Sequence, residues 1–266
     1  MKIFISADIE GTTGIAHWNE TNKKQADYHY FQEQMTREVS AACKGAIAAG
    51  ASEIWIKDAH GSGRNIDPSK LPENIKLIRG WSGHPYMMVQ ELDETFDALM
   101  YTGYHSYGSS NTNPLSHTMN SSMVDYVKLN DIYCSEFLLH SYVAAYLGVP
   151  VVFLSGDKGL CEHVKSVNEN IVTVAVNEGI GDSTISMQPD VAIRLISEGV
   201  EKALKGDLEK CKINLPDKFH LEIRYNHHVD AFKNSFYPGV VQKSPKSITF
   251  DTDDYFEIMR AALFLI

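Results

Sequence analysis

The fold is decided by the stretch Lys2-Ile3-Phe4-Ile5-Ser6-Ala7-Asp8-Ile9-Glu10 at the start of the chain. Its apolar part is short and rich in β-branched and aromatic residues, which predicts a buried strand. Two comparable runs follow, Glu53–His60 and Ala98–His105, and each also ends on acidic or imidazole side chains. Because ligands bind at the carboxyl ends of the strands in an open parallel sheet, the three runs predict one site assembled at one sheet edge.

Strand-like and helix-like segments alternate through the first part of the chain. A helical stretch near residues 25–49 follows the first strand, and a further helix is expected at 158–167. This βαβ alternation predicts an α/β protein with a mostly parallel, doubly wound sheet. From about residue 188 the pattern changes to an amphipathic helix and isolated strands. We therefore predict a larger α/β domain at 1–187, which carries the candidate site, and a smaller C-terminal α+β subdomain at 188–266.

The composition is that of an ordinary globular protein with an acidic balance. The chain has 266 residues and a net charge of −10, which argues against nucleic acid as the main partner because phosphate binding needs a basic face. Its four cysteines form no CxxC pair, which favours free thiols in a reducing compartment. Asp8 and Glu10 interrupt the apolar start, and Gly148 and Pro150 divide the apolar stretch 137–154. We therefore expect a cytoplasmic protein without a membrane partner.

Five side chains that follow these apolar runs or open a helix are candidate metal ligands: Asp8, Glu10, His60, His105 and Glu136. Singly, each has an ordinary explanation, such as a strand end that meets solvent or a first-turn acid that the helix dipole favours. Jointly, three buried carboxylates call for cations to balance them. Five donors exceed the needs of one tetrahedral zinc, whereas two metals about 3.5–4 Å apart and bridged by an aspartate would use them all. The mixed nitrogen and oxygen set suits Zn²⁺, with Mn²⁺ or Co²⁺ as substitutes.

Two further residues lie close to these candidates in the sequence. His117, in a loop-like stretch after His105, is either a proton shuttle or an ordinary loop histidine. Asp58 either orients the His60 imidazole from behind or caps the turn. No cluster of Arg or Lys flanks the ligand motifs in the sequence, which argues against a clamp for phosphate.

These motifs together resemble those of the DppA-type D-aminopeptidases, a family of zinc metallopeptidases. The resemblance covers about residues 6–136 and matches in order and spacing at Ser6–Gly11, Lys57–His60, Gly103–His105, Leu115–Met119 and Glu136. It implies a dinuclear zinc centre with Asp8 as the bridge, completed by Glu10, His60, His105 and Glu136. It also implies that His117 is the catalytic histidine.

The resemblance further implies what such a protein acts on. Members of the family release N-terminal residues from short peptides that have a free amino terminus, and they assemble into ring-shaped homo-oligomers, decamers in the best-known type. The segments 61–70 and 107–113 match the family only loosely, so the preferred substrate, including the choice of D- or L-residues, stays open. Two alternatives also stay open: another binuclear metallohydrolase such as a phosphoesterase, and a non-catalytic scaffold that binds peptides or metal.

Overall fold

The secondary structure follows the apolar runs closely in the computed structural model, which describes residues 1–266. The strands are β1 (Lys2–Ala7), β2 (Glu53–Asp58), β3 (Ile75–Ile78), β4 (Ala98–Tyr104), β5 (Val124–Leu129), β6 (Ile132–Tyr133), β7 (Val151–Asp157), β8 (Val172–Ile180), β9 (Ser183–Ser186), β10 (Phe219–Tyr225), β11 (Val240–Ser244) and β12 (Ser247–Thr252). The helices are α1 (Tyr28–Ala48), α2 (Glu136–Tyr146), α3 (Lys158–Val167), α4 (Pro189–Leu204), α5 (His228–Asn234) and α6 (Tyr255–Leu265).

The larger sheet has seven strands in the order β3-β2-β1-β4-β7-β8-β9. All of its neighbouring strands are parallel except β8 and β9. The predicted α/β class and the mostly parallel sheet are therefore confirmed. Strand β1 lies in the interior of this sheet, between β2 and β4, which explains why its residues are apolar on both faces.

The two faces of β1 pack against different layers. Ile3 and Ile5 belong to the core shared with α1 and α4, whereas Phe4 points to the opposite face because side chains alternate along a strand. On that face the core continues into α2, α6 and the second sheet. None of the helices combines the length and the apolar character that crossing a bilayer requires.

The second sheet is antiparallel, has five strands in the order β11-β12-β10-β5-β6, and draws on both of the predicted domains. Strand β5 pairs with β10, for example Leu129 with Leu221. Conversely, α4 packs on α1 so closely that a Cβ on Gly45 would lie 2.3 Å from the Ser197 carbonyl oxygen. The two sheets thus do not separate at residue 188, because β5 and β6 precede that position and α4 follows it. The division into domains at 187 and 188 stays a prediction.

Candidate metal centre

The carboxyl ends of β1, β2 and β4 form the edge at which the candidate ligands meet. The chain runs from β1 to β2 and β3 on one side and then crosses to β4 on the other, so the strand order reverses at β1. Such a switch point opens a crevice between the loops that leave the sheet there. Asp8 and Glu10 follow β1, His60 follows β2 and His105 follows β4.

The loops after β1 and β4 lie in direct backbone contact. The Asp8 amide donates to the Thr102 carbonyl at 2.9 Å, and the Gly11 amide donates to the Gly103 carbonyl at 2.8 Å. Gly103 has a φ of +69°, and a Cβ on it would lie 2.2 Å from the Asp8 carbonyl oxygen. Only glycine accommodates this approach, and it brings Asp8 beside His105.

One group of donor atoms is formed by Asp8, Glu10 and His60. The Nδ1 atom of His60 lies 3.4 Å from Asp8 Oδ1 and 3.1 Å from Glu10 Oε2. The other ring nitrogen, Nε2, lies 2.9 Å from the Thr21 carbonyl oxygen, which can only accept. Nε2 therefore carries the proton, and Nδ1 presents its lone pair to the two carboxylates.

A second group is formed by His105, His117 and Glu136. Glu136 Oε2 lies 3.3 Å from His105 Nε2, and Glu136 Oε1 lies 3.6 Å from His117 Nε2. Both histidines donate from Nδ1 to a backbone carbonyl, that of Ser106 at 3.0 Å and that of Leu115 at 2.8 Å. Their rings stack at 4.2 Å with an interplanar angle of 7°, so both lone pairs point the same way.

Asp8 connects the two groups with its two oxygens. Its Oδ1 faces His60, and its Oδ2 lies 3.5 Å from His105 Nε2. The structure therefore brings together all five of the predicted ligands, and it adds His117 to the second group. Whether these side chains hold metal stays a prediction.

The electrostatics of the cluster call for positive charge. Burial, together with Glu10, raises the pKa of Asp8 well above its usual range. Burial also opposes the charged forms of His105 and Glu136, but their mutual attraction prevails, raising the pKa of His105 to about 10 and lowering that of Glu136 to about 2. For His117, burial and the neighbouring His105 charge lower the pKa. Without cations the carboxylates thus depend on protons held by the histidines.

Two buried atoms of the cluster lack hydrogen-bond partners, so the residues present fit a metal ion. Glu10 Oε2 and His105 Nε2 are both buried without a hydrogen-bond partner, although carboxylate or imidazole atoms lie nearby. The 3.1 Å contact from Glu10 to His60 is not aligned as a hydrogen bond. Lone pairs that face each other across such gaps are what a divalent ion in the middle would satisfy.

Comparison with known proteins identifies the family of this chain. The chain matches the D-aminopeptidase family, peptidase family M55, over residues 1–264. The chain belongs to the D-aminopeptidase family.

Two relatives illustrate the match. The D-aminopeptidase of Bacillus subtilis (strain 168) is 28% identical over 265 residues, covering 99% of this chain and 96% of the relative. The solved structure of the Zn-dependent D-aminopeptidase DppA from Bacillus subtilis, a self-compartmentalizing protease, superposes with a TM-score of 0.92 at 28% identity, covering 100% of this chain and 96% of that one. The resemblance seen in the motifs is confirmed, and the protein is a metallo-aminopeptidase, a hydrolase of peptide bonds.

Behind the ligands of this family member, two buried aspartates organise the supporting loops. The carboxylate of Asp58 accepts hydrogen bonds from the Asn65 and Ile66 amides and from Asn65 Nδ2, and Nδ2 also donates to the His60 carbonyl at 2.7 Å. Asp58 therefore has no hydrogen bond to the imidazole and fixes the loop that carries it. The sequence left open whether Asp58 orients the His60 imidazole or caps the turn, and the structure supports the role in the turn.

Sequence reasoning missed the second aspartate, Asp157. Its carboxylate accepts from the Ser106 amide and hydroxyl, both at 2.6 Å, from Asn113 Nδ2 at 3.1 Å, and from the Leu160 amide at 2.8 Å. The Ser106 carbonyl in turn accepts the His105 Nδ1 proton, so Asp157 positions this candidate ligand through Ser106. A signal was present in the sequence, since Asp157 ends an apolar run in the same way as Asp8 does.

A cavity of about 280 Å³ opens over the donor atoms. Its walls carry the apolar side chains of Trp18, Trp81, Met88 and Met119. Trp18 also contacts the His117 ring edge-on at 5.2 Å between centroids. The aminopeptidase thus has a charged floor beneath an apolar chamber of a size suited to one amino-acid side chain.

Proposed function

We propose that the protein is a dinuclear zinc aminopeptidase that removes N-terminal residues, D-residues included, from short peptides. One observation carries the proposal: Asp8 turns one oxygen to each of two donor groups that otherwise share no residue. Asp8 would bridge two Zn²⁺ ions, with Glu10 and His60 at one and His105 and Glu136 at the other. When bound, the two ions would lower the pKa of a water towards 7 and polarise the scissile carbonyl. Mn²⁺ and Co²⁺ suit the same ligands.

The chain's own residues select and place the substrate. With two divalent ions bound, the three buried carboxylates of the cavity floor would be close to neutralised, so a free N-terminal amine would be favoured as a nitrogen ligand that a blocked amine cannot provide. The apolar wall of Trp18, Trp81, Met88 and Met119 receives the side chain of the N-terminal residue and excludes water around it.

His117 is the residue that would move the proton. Because its Nδ1–H donates to the Leu115 carbonyl, its Nε2 is a free base on the side of Glu136. A neutral imidazole in this tautomer accepts a proton from the attacking water and passes it to the leaving amine. It cannot donate to an oxyanion before it has taken up that proton, so its first role would be that of a proton shuttle. Burial lowers the pKa of His117, which keeps the imidazole neutral and able to accept a proton.

The test is metal content combined with a substrate panel. We expect about two zinc ions per chain in protein purified without chelator, and turnover of D-alanine p-nitroanilide but not of p-nitrophenyl phosphate. Hydrolysis of the phosphate ester alone would replace the proposal with a phosphoesterase. Zinc-loaded protein that cleaves none of a broad set of free-amine di- and tripeptides would be a binding scaffold.

We also propose that the protein assembles into a homo-oligomer, as the self-compartmentalizing relative does. Large apolar side chains are exposed on α5 (Phe232, 60%), in the turn that follows it (Phe236, 73%) and on α6 (Phe264, 66%). Exposed apolar surface of this kind marks an interaction site. A ring, and a decamer in particular, is the assembly that the family resemblance implies.

Light scattering after size-exclusion chromatography tests the assembly. We expect a mass several times that of one chain, near tenfold for a decamer, and a shift to smaller species in Phe236→Ser. The matched control is Tyr30→Ser, which removes a 60% exposed aromatic on α1. A monomeric wild-type protein would refute the proposal.

A further inference from the structure

A second cavity adjoins the metal centre and has the opposite character. It measures about 480 Å³ and shares Glu10, Trp18, His60 and Gly61 with the apolar chamber. Its outer wall carries three cations from two separate loops, Lys23, Lys24 and Arg64. The two cavities therefore meet at the candidate ligands, one side apolar and the other cationic.

Contacts to backbone carbonyls hold the loops of Lys23 and Arg64 near the candidate metal centre. Thr21, whose carbonyl accepts the His60 proton, lies two residues before Lys23. Lys23 Nζ donates to the Arg64 carbonyl, which ties the two loops together. Two residues of chain span at most about 7 Å, so the cationic wall begins close to the His60 ring.

The positive charge of this wall is not neutralised by the protein. Lys23, Lys24 and Arg64 form no ion pair with any carboxylate, although the chain has an excess of acidic residues. Burial lowers the pKa of Lys23, and Arg64 and Arg79 lower it further against the opposing pull of Asp58. An anion in the cavity would relieve this repulsion.

We propose that this second cavity binds the C-terminal carboxylate of the substrate through Lys23, Lys24 and Arg64. This inference rests on the proposed aminopeptidase function and names the substrate class more narrowly. With the N-terminal residue in the apolar chamber and the scissile carbonyl over the donor atoms, the leaving part of the peptide runs into the cationic cavity. Each added residue moves the carboxylate outward by about 3.3–3.6 Å, so only short peptides place it against the cations.

The chemistry of the wall fits a carboxylate. Arg64 offers a planar fork of donors for a bidentate contact, while the lysines act as mobile point charges.

The experiment compares D-Ala-D-Ala with its C-terminal amide in zinc-loaded protein, using D-alanine p-nitroanilide to report turnover without a carboxylate. We expect kcat/KM to be at least about tenfold higher for the free acid, mainly through KM. Arg64→Met and Lys23→Met should each lower kcat/KM for the acid about threefold to tenfold, reducing the acid-to-amide ratio. Lys202→Met, which removes an equally exposed cation on α4, should leave the ratio unchanged.

A binding measurement separates the two possible failures. Acetyl-D-Ala-D-Ala has a blocked amine, so its affinity relative to the acetylated amide can be measured by calorimetry whether or not the protein is catalytic. Tighter binding of the acid that Arg64→Met abolishes supports the carboxylate subsite. Equal binding of acid and amide, or an equal loss for both in Arg64→Met with unchanged zinc content and melting temperature, overturns it. Wild-type protein inactive on all three substrates would instead overturn the aminopeptidase proposal.

Discussion

The two donor groups of the metal centre contain similar chemistry but are built in different ways. The Asp8, Glu10 and His60 group follows two adjacent strands, so sheet register brings its members to the same edge. The His105, His117 and Glu136 group combines a strand end, a loop and a helix N-terminus. The His60 side chain is 16% exposed, whereas that of His105 is fully buried. We infer that the first group admits substrate and the second fixes the chemistry.

The largest effect is expected where the two groups join. Asp8→Ala removes the side chain that contacts both groups, so neither of the two proposed zinc ions would keep its full ligand set. We expect kcat/KM to fall by about 10³ or more, and zinc content to fall from two per chain to one or none. Atomic emission on dialysed protein and a D-alanine p-nitroanilide assay measure both. If the variant kept two zinc ions, Asp8 would not be the bridge.

The comparison is sharpened next by His117, which lies in the second group but is proposed as a base. His117→Ala should lower kcat by about 10²–10⁴ while the protein keeps two zinc ions, as expected for loss of a general base. A fall to one zinc ion would instead make His117 a ligand, which its 3.6 Å distance to Glu136 would permit. Because His117→Ala also removes the ring that stacks on His105, the melting temperature of the variant should be measured alongside.

The sequence predicts the ligands at strand ends better than it predicts contacts between remote segments. The strands that carry Asp8, His60 and His105 are short apolar runs, and parallel pairing takes their ends to one edge. An apolar run does not indicate which distant segment of the chain it will contact. Strands β5 and β11 are not predicted from such runs; β5 pairs with β10, far along the chain, and β11 pairs with β12.

The cationic cavity shows the same limit at the site itself. Lys23 and Arg64 are 41 residues apart, and neither is next to a ligand in the sequence. The sequence shows no basic cluster beside the ligand motifs, but the folded chain places one there, because the loops after β1 and β2 fold over the same edge. The buried support from Asp157 escaped notice because its partner Ser106 lies 51 residues away.

A moderate effect is expected from the supports of the two groups. Asn65→Ala removes the bond to the His60 carbonyl, and Ser106→Ala removes the hydroxyl that binds Asp157. Loss of such outer contacts weakens metal binding about 10–100-fold. Titration with a competing chelator should show one of the two zinc ions released early in each variant. Release of both ions together in both variants would contradict the view that the groups are independently supported.

The smallest effect concerns the buried base beneath each group. Beneath the second group, burial lowers the pKa of His140 to about 4, so this residue is neutral. Beneath the first, Lys57 is buried and charged near neutral pH, and its Nζ donates to the Asp58 and Gly80 carbonyls at 2.6 and 2.7 Å. The first group alone therefore stands over a charge that titrates in the alkaline range.

Burial lowers the pKa of Lys57 to about 8, against about 10.4 in the unfolded chain. The unfolded state thus binds more protons between pH 8 and 10.4, and the contribution of Lys57 to the unfolding free energy should rise across that window. We expect a rise of about 1–3 kcal/mol, since the contact of Nζ with the Trp81 ring at 3.9 Å favours the charged form. Urea unfolding at pH 7.5 and 10, with chelator present throughout, should show this rise in wild-type protein relative to Lys57→Met. Parallel pH profiles for the two proteins would show that Lys57 keeps an ordinary pKa, because its two carbonyl acceptors and the indole ring then replace the water that burial removes.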